Sequence, residues 1–585
     1  MSDDFSTFWR NNEQASALFY DLLARAEQDA CDDDFLMQLA AYREAGGDAA
    51  HADIFAAQYL LANGDAENAV ICAERAFRLR SVEPAVWAVL RRAYTATARY
   101  ADALVMQAYM AKLLNRPLTL PADIPRSTLT PEVLDRLSVA MGKPSYAPMA
   151  LSRMSWDDEK GLCSAEGVFA GEFIPTPDVH RPPYYVATYT EQEQQGNKAW
   201  LLQTIQSAEG FSFNVGGEFV YDIMRVSRAP GRAEIHCAGE SVLPVIGAMP
   251  LQKLHIKTER MEQDTPLNPA TPNFFRLTED TSLSSDHDFL VGTPISIGHS
   301  PTRRPLVLNI LADALPWATL REHFAEWMPN TARFFAQGTI FDQHFSVSEY
   351  TYPSLPTIET GMYPHRSQIF NDKFAIPLAA NIIPLSERLH DLGYATANLM
   401  GDGIGIYNGA TRGHDRLLAA GYRLLAYEGV ERTIRHLEGL GDSDQFIFLH
   451  TADLHPWPYP LFQITSSVQA RLPLTERLSG AEGSTPSPYL QATPLSAAAC
   501  IQGIRDLDRA LGTLFSYLEQ HYTPDEYLVS IYSDHGVPVF SEHHYIVSPE
   551  MTHAAWMMRG AGVPAGITVS EMTSTVDIYP TLAHV

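Results

Sequence analysis

Cysteine is scarce in this chain: five residues in 585, at Cys31, Cys72, Cys163, Cys237 and Cys500. They are scattered, with no CxxC pair and no Cys/His cluster, which argues against a disulfide framework and a cysteine-held zinc. Long apolar runs are missing too. No stretch reaches the roughly eighteen apolar residues that a membrane helix needs, so no membrane span is expected. The first residues, Met1-Ser2-Asp3-Asp4-Phe5, lack the basic start and apolar run of a secretory leader. A reducing, cytoplasmic location is the simplest expectation. Basic residues are few, 42 Lys and Arg against 69 Asp and Glu, for a net charge of −27. Such a surface repels phosphate backbones and anionic lipid, which disfavours nucleic acid and membranes as partners. An anionic substrate then calls for a metal ion that inverts the sign locally.

What is present suffices for several cores. The chain is 46% hydrophobic, and its length allows roughly three or four domains. Residues 1–115 are rich in helix formers, with apolar residues at helical spacing. A repeat of 34 residues relates Ala69 to Ala103; Trp87, Leu90 and Tyr94 share one helix face, and Pro84 separates the units. This resembles tetratricopeptide repeats, which implies paired helices and a surface for a protein partner, with a plain helical spacer as the alternative. Residues 116–150 form a Pro-rich linker with one short helix over 131–141. Residues 151–275 hold aromatic and β-branched runs such as Tyr184–Tyr189, Phe211–Val215 and Ala233–Ala238, which predict a small β-rich domain. His180, His236 and His255 are isolated there and read as solitary polar positions. Residues 276–300 read as a loop, and Lys373 and Arg412 further on are candidate anion binders or plain surface charges.

From about residue 300 to 585 helical and strand patterns alternate, which predicts an α/β sandwich around a largely parallel sheet. The chain is thus multidomain: an α-helical repeat region, a β-rich domain and an α/β domain. In parallel sheets function gathers at the carboxyl ends of strands. Four segments meet that description: Pro305–Ala312 ending in Asp313; Thr351-Tyr352-Pro353-Ser354-Leu355-Pro356-Thr357-Ile358-Glu359-Thr360-Gly361; Phe446–Leu449 leading to His450, Asp453 and His455; and Tyr527–Ser533 leading to Asp534-His535-Gly536.

These segments, in this order, resemble the sulfatase branch of the alkaline phosphatase superfamily. In sulfatases a Cys that becomes formylglycine precedes x-Pro-Ser-Arg and, six residues on, the Gly of a Thr-Gly pair. Here Thr351 stands at the Cys position, Pro353 and Ser354 match, and Thr360-Gly361 is in register. Ser533-Asp534-His535-Gly536 matches a second family element. Ile504, Asp508 and Leu511 fit the helix before it, and Trp556–Val563 and Thr575–Leu582 fit the late strand and the Asp-Ile-x-Pro-Thr-Leu helix. Two departures matter: Thr351 cannot form formylglycine, and Leu355 replaces the Arg. The chain therefore looks like phosphate-transferring relatives such as the lipoteichoic acid (phosphoglycerol) and phosphoethanolamine transferases. Such domains usually continue past the Pro-Thr-Leu element, so the sequence, ending at Ala583-His584-Val585, is expected to be C-terminally truncated.

The resemblance implies one divalent ion, zinc or manganese, held by Asp313, Thr351, Asp534 and His535. A second ion would take Asp453, His455 and His553; without it, His455 and His553 contact substrate oxygens or the leaving group. His543 and His544 lie nearby in sequence, and His450 reads as structural. A bare hydroxyl is a poor nucleophile, and metal coordination is what activates it. The expected enzyme is a metal-dependent hydrolase or transferase of phosphoesters, preferably diesters and some glycan-linked, acting through a phospho-threonine intermediate. The alternatives are a sulfatase using unmodified Thr351, and an inactive scaffold with a docking surface on the helical repeats.

Overall fold

The computed structural model describes residues 12–141, 152–167, 171–176, 183–189, 220–370, 374–400, 404–420, 424–454, 466–478, 494–540 and 547–585. His180, Lys373, His455, His543, His544 and the Phe211–Val215 run lie outside them.

The N-terminal region is a succession of helices: α1 Glu13–Glu27, α2 Asp33–Glu44, α3 Ala49–Ala62, α4 Ala66–Leu79, α5 Pro84–Ala96, α6 Tyr100–Leu113 and, after a turn segment, α7 Pro131–Met141. Asn12, Asp32, Asp48 and Asp65 cap α1 to α4 by accepting a backbone N–H of the first turn, while Pro84 opens α5 at a position where no N–H is needed. Ala57, Ala69, Ala73, Ala76, Ala93, Ala103 and Ala108 are buried with Trp87, Leu90 and Tyr109 in one core. Small residues at these positions let neighbouring helices approach closely.

The C-terminal half is built on a sheet buried on both faces. Its centre has the order β3-β2-β4-β1-β5-β6, with β1 Leu306–Ala312, β2 Ala395–Met400, β3 Arg416–Ala420, β4 Gln445–Thr451, β5 Tyr527–Tyr532 and β6 Trp556–Gly560. The first five are mutually parallel and β6 runs antiparallel to β5. All seven residues of β1 are buried, Asn309 among them, as suits a central parallel strand covered on both faces. Alternation then sorts the side chains. Leu308 and Ile310 face a cluster with α9 (Ala426–Gly439) and α10 (Pro494–His521), whereas Val307 and Leu311 face Leu355 and Ile358 of α8 (Thr351–Thr360). Asp508 of α10 accepts hydrogen bonds from the backbone N–H groups of Asn330 and Thr331 and from both their side chains, capping the helix Pro329–Phe335.

The β-rich region joins this sheet. Strand Val220–Ala229 pairs antiparallel with β3, and Phe289–Gly292, Ser241–Gly247 and Ile295–Ser296 follow outward, giving 14 strands among the described residues. The stretch expected as a loop at 276–300 thus carries strands, including Thr281–Ser284 in a separate four-stranded sheet. These strands are two to four residues long, too short for alternation to show, and their partners lie far away in sequence.

Glu359 lies on the buried side of α8 and accepts the backbone N–H of Ser386 at 3.1 Å through Oε2. Burial raises its pKa from 4.5 to about 7. The folded chain therefore keeps a proton that the unfolded chain releases above pH 4.5. Stability from this group is full below that pH and falls as pH rises towards 7, by roughly 3 kcal/mol in total. Glu359→Gln should lose this slope. Denaturant unfolding from pH 4 to 8 should show the variant gaining on the parent as pH rises, and a pH-independent difference would refute the assignment.

Candidate metal centre

Three parallel strands deliver the polar groups. Asp313 follows β1, Asp534 and His535 follow β5, and His450 lies one residue from the end of β4. Parallel register sets Leu311 beside both His450 and Tyr532, so Asp313, His450 and Asp534 arrive at one edge. Local sequence explains the turns. Ser533 Oγ donates to the carbonyl of Leu315 at 3.0 Å and accepts from Ala555 N at 2.8 Å. Gly536 is required because a Cβ there would lie 2.0 Å from the carbonyl oxygen of Glu550. Ala314, at φ 63°, takes the left-handed conformation that costs an L-residue about 1–2 kcal/mol. Its N–H then donates to Asp534 Oδ1 at 3.3 Å.

Thr351 is the first residue of α8 and is buried. Its hydroxyl lies 3.5 Å from Asp313 Oδ2 and 3.5 Å from His535 Nε2. The helix is unusual in its prolines. Pro356 has no N–H to give the carbonyl of Tyr352 four residues back, and Asn408 Nδ2 donates to that carbonyl instead, at 3.3 Å. Gly361 ends the helix in the left-handed conformation at φ 66°, its N–H donating to Thr357 O at 2.8 Å. The Pro-Ser and Thr-Gly elements of the sequence are thus the start and stop of this helix. Leu355, at the position of the family's Arg, is buried in the α8 core.

Ligand atoms of Asp313, Asp534 and His535 all lie within 4.8 Å of one another, the one group among the described residues that could hold a metal ion. His535 Nδ1 donates to the carbonyl of Gly536 at 2.8 Å. The other nitrogen, Nε2, therefore faces Asp313 Oδ1 at 3.5 Å and Asp534 Oδ2 at 3.4 Å, the orientation a histidine ligand needs. Burial, and after it the charge of Asp313, raise the pKa of Asp534. Burial lowers that of His535, but the charges of Asp534 and Asp313 outweigh it and the net shift is upward. Two buried carboxylates at this separation hold a proton between them and the imidazole unless a cation takes its place. Oxygen and imidazole donors suit zinc or manganese, so the residues present fit a divalent ion.

His450 reads from the sequence as structural, without a named partner. Its Nε2 donates to Asp313 Oδ2 at 3.1 Å in full burial. Period-two alternation places it on the same face as Phe446 and Phe448, but its partner is set by the register of β4 on β1, which the sequence does not display. The other candidates have separate surroundings. Asp453 Oδ2 accepts the N–H of Ala426 at the start of α9. His553 stacks on Phe345 with its Nε2 2.7 Å from the carbonyl of Asp342, and burial lowers its pKa. Arg412 is a buried brace, bound to Glu387 and to the carbonyls of Leu378, Ala379 and Ile382. His236 is exposed and His255 half-buried, and they pair with Asp280 and Asp264.

Residues 305–585 match the protein-family model described as Sulfatase. By that match the C-terminal part of the chain is a sulfatase-family domain, built on the α/β sheet described above. No curated protein matches the chain. Similar solved structures include a phosphonate monoester hydrolase from Silicibacter pomeroyi (18% identity, 48% of this chain and 72% of that one, TM-score 0.38). Two others are an alkaline phosphatase superfamily protein from Vibrio parahaemolyticus (16%, 49% and 71%, TM-score 0.35) and a 2-O GAG sulfatase (16%, 48% and 70%, TM-score 0.37). No helix among the described residues is long and apolar enough to cross a membrane.

Asp534→Asn should act in opposite directions with and without metal. In chelator it removes one of two repelling carboxylates and should raise stability by about 1 kcal/mol. With Mn²⁺ or Zn²⁺ the parent should be stabilised and the variant should not. Thermal unfolding checks this, and equal metal stabilisation of both proteins would rule the site out.

Proposed function

We propose that the chain is a metal-dependent phosphoesterase or phosphotransferase in which Thr351 is the nucleophile and Asp313, Thr351, Asp534 and His535 hold one zinc or manganese ion. The observation that supports this reading best is the Thr351 hydroxyl between Asp313 Oδ2 and His535 Nε2, at the head of a helix. A bound divalent cation lowers the pKa of the hydroxyl and offsets the charge on the non-bridging oxygens. The chain's residues do the rest. Asp313 Oδ2 accepts the hydroxyl proton, and Thr351 Oγ forms a bond to phosphorus as the ester oxygen of the leaving group departs. The positive N-terminal end of α8, where Thr351 sits, suits the phosphoryl oxygens. Water or an acceptor alcohol then displaces Thr351 and restores the hydroxyl. His450 holds Asp313 in place.

His455 and His553 are proposed to serve the leaving group, or with Asp453 to hold a second ion. Phosphodiesters, including glycan-linked ones, are the preferred substrates, because the nucleophile is a threonine and not a formylglycine precursor. The helical array is proposed to receive a protein partner, and the cytoplasm is the proposed location. A scaffold without activity has no use for the buried acid and histidine cluster.

Hydrolysis of bis-p-nitrophenyl phosphate, p-nitrophenyl phosphate and p-nitrophenyl sulfate, with Mn²⁺ or Zn²⁺ and with chelator, tests the reading. The diester should be cleaved in a metal-dependent way, and Thr351→Ala should lower kcat by about 10³-fold or more. Preference for the sulfate would establish the sulfatase alternative, and an equally active Thr351→Ala would end the mechanism.

A further inference from the structure

The helical array and the nucleophile helix are joined through one short extended strap, Phe374–Leu378. Its side chains alternate. Phe374 and Ile376 are buried in the core of the array, and Ala375 packs on the other side with Val139, Leu417 and Ala419. The Phe374 ring lies 5.4 Å from that of Trp87, at an interplanar angle of 54°, and Trp87 is itself fixed by its indole N–H, which donates to Ser81 O at 2.7 Å. Tyr109 of α6 donates its hydroxyl to the carbonyl of Ala375 at 3.4 Å.

The strap's polar groups reach the residue beside the nucleophile. The carbonyl of Phe374 accepts the hydroxyl of Tyr352 at 3.0 Å. The N–H of Leu378 donates to the carbonyl of Asn408 at 2.9 Å, and Asn408 Nδ2 supplies the carbonyl of Tyr352 with the hydrogen bond that Pro356 withholds. The strap therefore holds Tyr352 at both ends, directly at its hydroxyl and through Asn408 at its backbone. Tyr352 is buried and adjacent to Thr351, so moving its ring or its peptide turns the first residues of α8.

We propose that the helical array is a positioning element of the active site. By seating Phe374 and Ile376 it orients the strap, and through the strap and Tyr352 it sets the direction of Thr351 Oγ. Trp87, Phe374 and Tyr352 are positioning residues, and each acts through the next. The inference rests on the reading above only for the role of Thr351; the mechanical link stands without it.

Hydrogen exchange on the full chain tests the link independently of any substrate. Tyr352→Phe removes one hydroxyl from a buried site and keeps the ring, and Phe374→Ala removes the plug. In both, exchange of the amides of Leu355, Thr357 and Ile358 should quicken by about tenfold, the effect of losing one or two buried hydrogen bonds. Exchange in β1 and β5 should stay as in the parent, and Phe374→Leu should restore most of the protection. On a cleaved ester, Tyr352→Phe should lower kcat about fivefold to tenfold with KM and bound metal unchanged. Parent-like exchange in α8 for both variants would overturn the proposal, as would quickening spread equally through β1 and β5. A parent without esterase activity would refute the role of Thr351, and the exchange result would still decide the link.

Discussion

Two carboxylates, Asp313 and Asp534, are held a few ångströms apart at the ends of neighbouring strands, in full burial. Like charges in a medium of low polarisability repel strongly, and neither side chain can retreat. Each strand is fixed on both edges by a paired neighbour and on both faces by packed side chains. The repulsion is answered locally by the imidazoles of His450 and His535 and the backbone N–H groups of Ala314 and His535. A bound cation would resolve it fully. The surrounding structure keeps that demand in place: the sheet buried on both faces, the left-handed Ala314 and the close approach of Gly536 to Glu550.

The helix that carries Thr351 is under a different constraint. It must begin at the cluster, with its positive end towards the charge, and its prolines deny it part of its own hydrogen bonding. Support therefore comes from outside: Asn408 for the Tyr352 carbonyl, the Phe374 carbonyl for the Tyr352 hydroxyl, and the Ser386 N–H for Glu359. Contacts distant in sequence thus fix the head of α8 and Thr351. The helical array contributes to that support, because its core is completed by Phe374 and Ile376. The strands of the β-rich region lengthen the same sheet beyond β3 through Val220–Ala229, and the buried pair Arg416–Asp222 crosses that junction at 2.7 Å.

Much of this was legible in the residues themselves. The run Leu306–Ala312, apolar but for Asn309, suits a strand buried on both faces, and its acid end marks the carboxyl edge where chemistry collects. Thr351 through Gly361 announces a helix with a defined start and a glycine stop, and Ser533-Asp534-His535-Gly536 announces a tight turn after a strand, because each depends on local sterics and short-range hydrogen bonds. The alanines and Trp87 of the first 115 residues fix helical packing for the same reason. What only the tertiary structure decided is which distant groups meet. His450 reads as one more strand residue until the register of β4 on β1 brings it to Asp313. Arg412 reads as a surface charge until its guanidinium is seen bound to Glu387 and three carbonyls. The short strands between 276 and 300 have no local period and exist by pairing, and Phe374 shows its purpose only between Trp87 and Tyr352. Local sterics are written in neighbouring residues, whereas register and long-range packing are set by the balance of the whole buried surface.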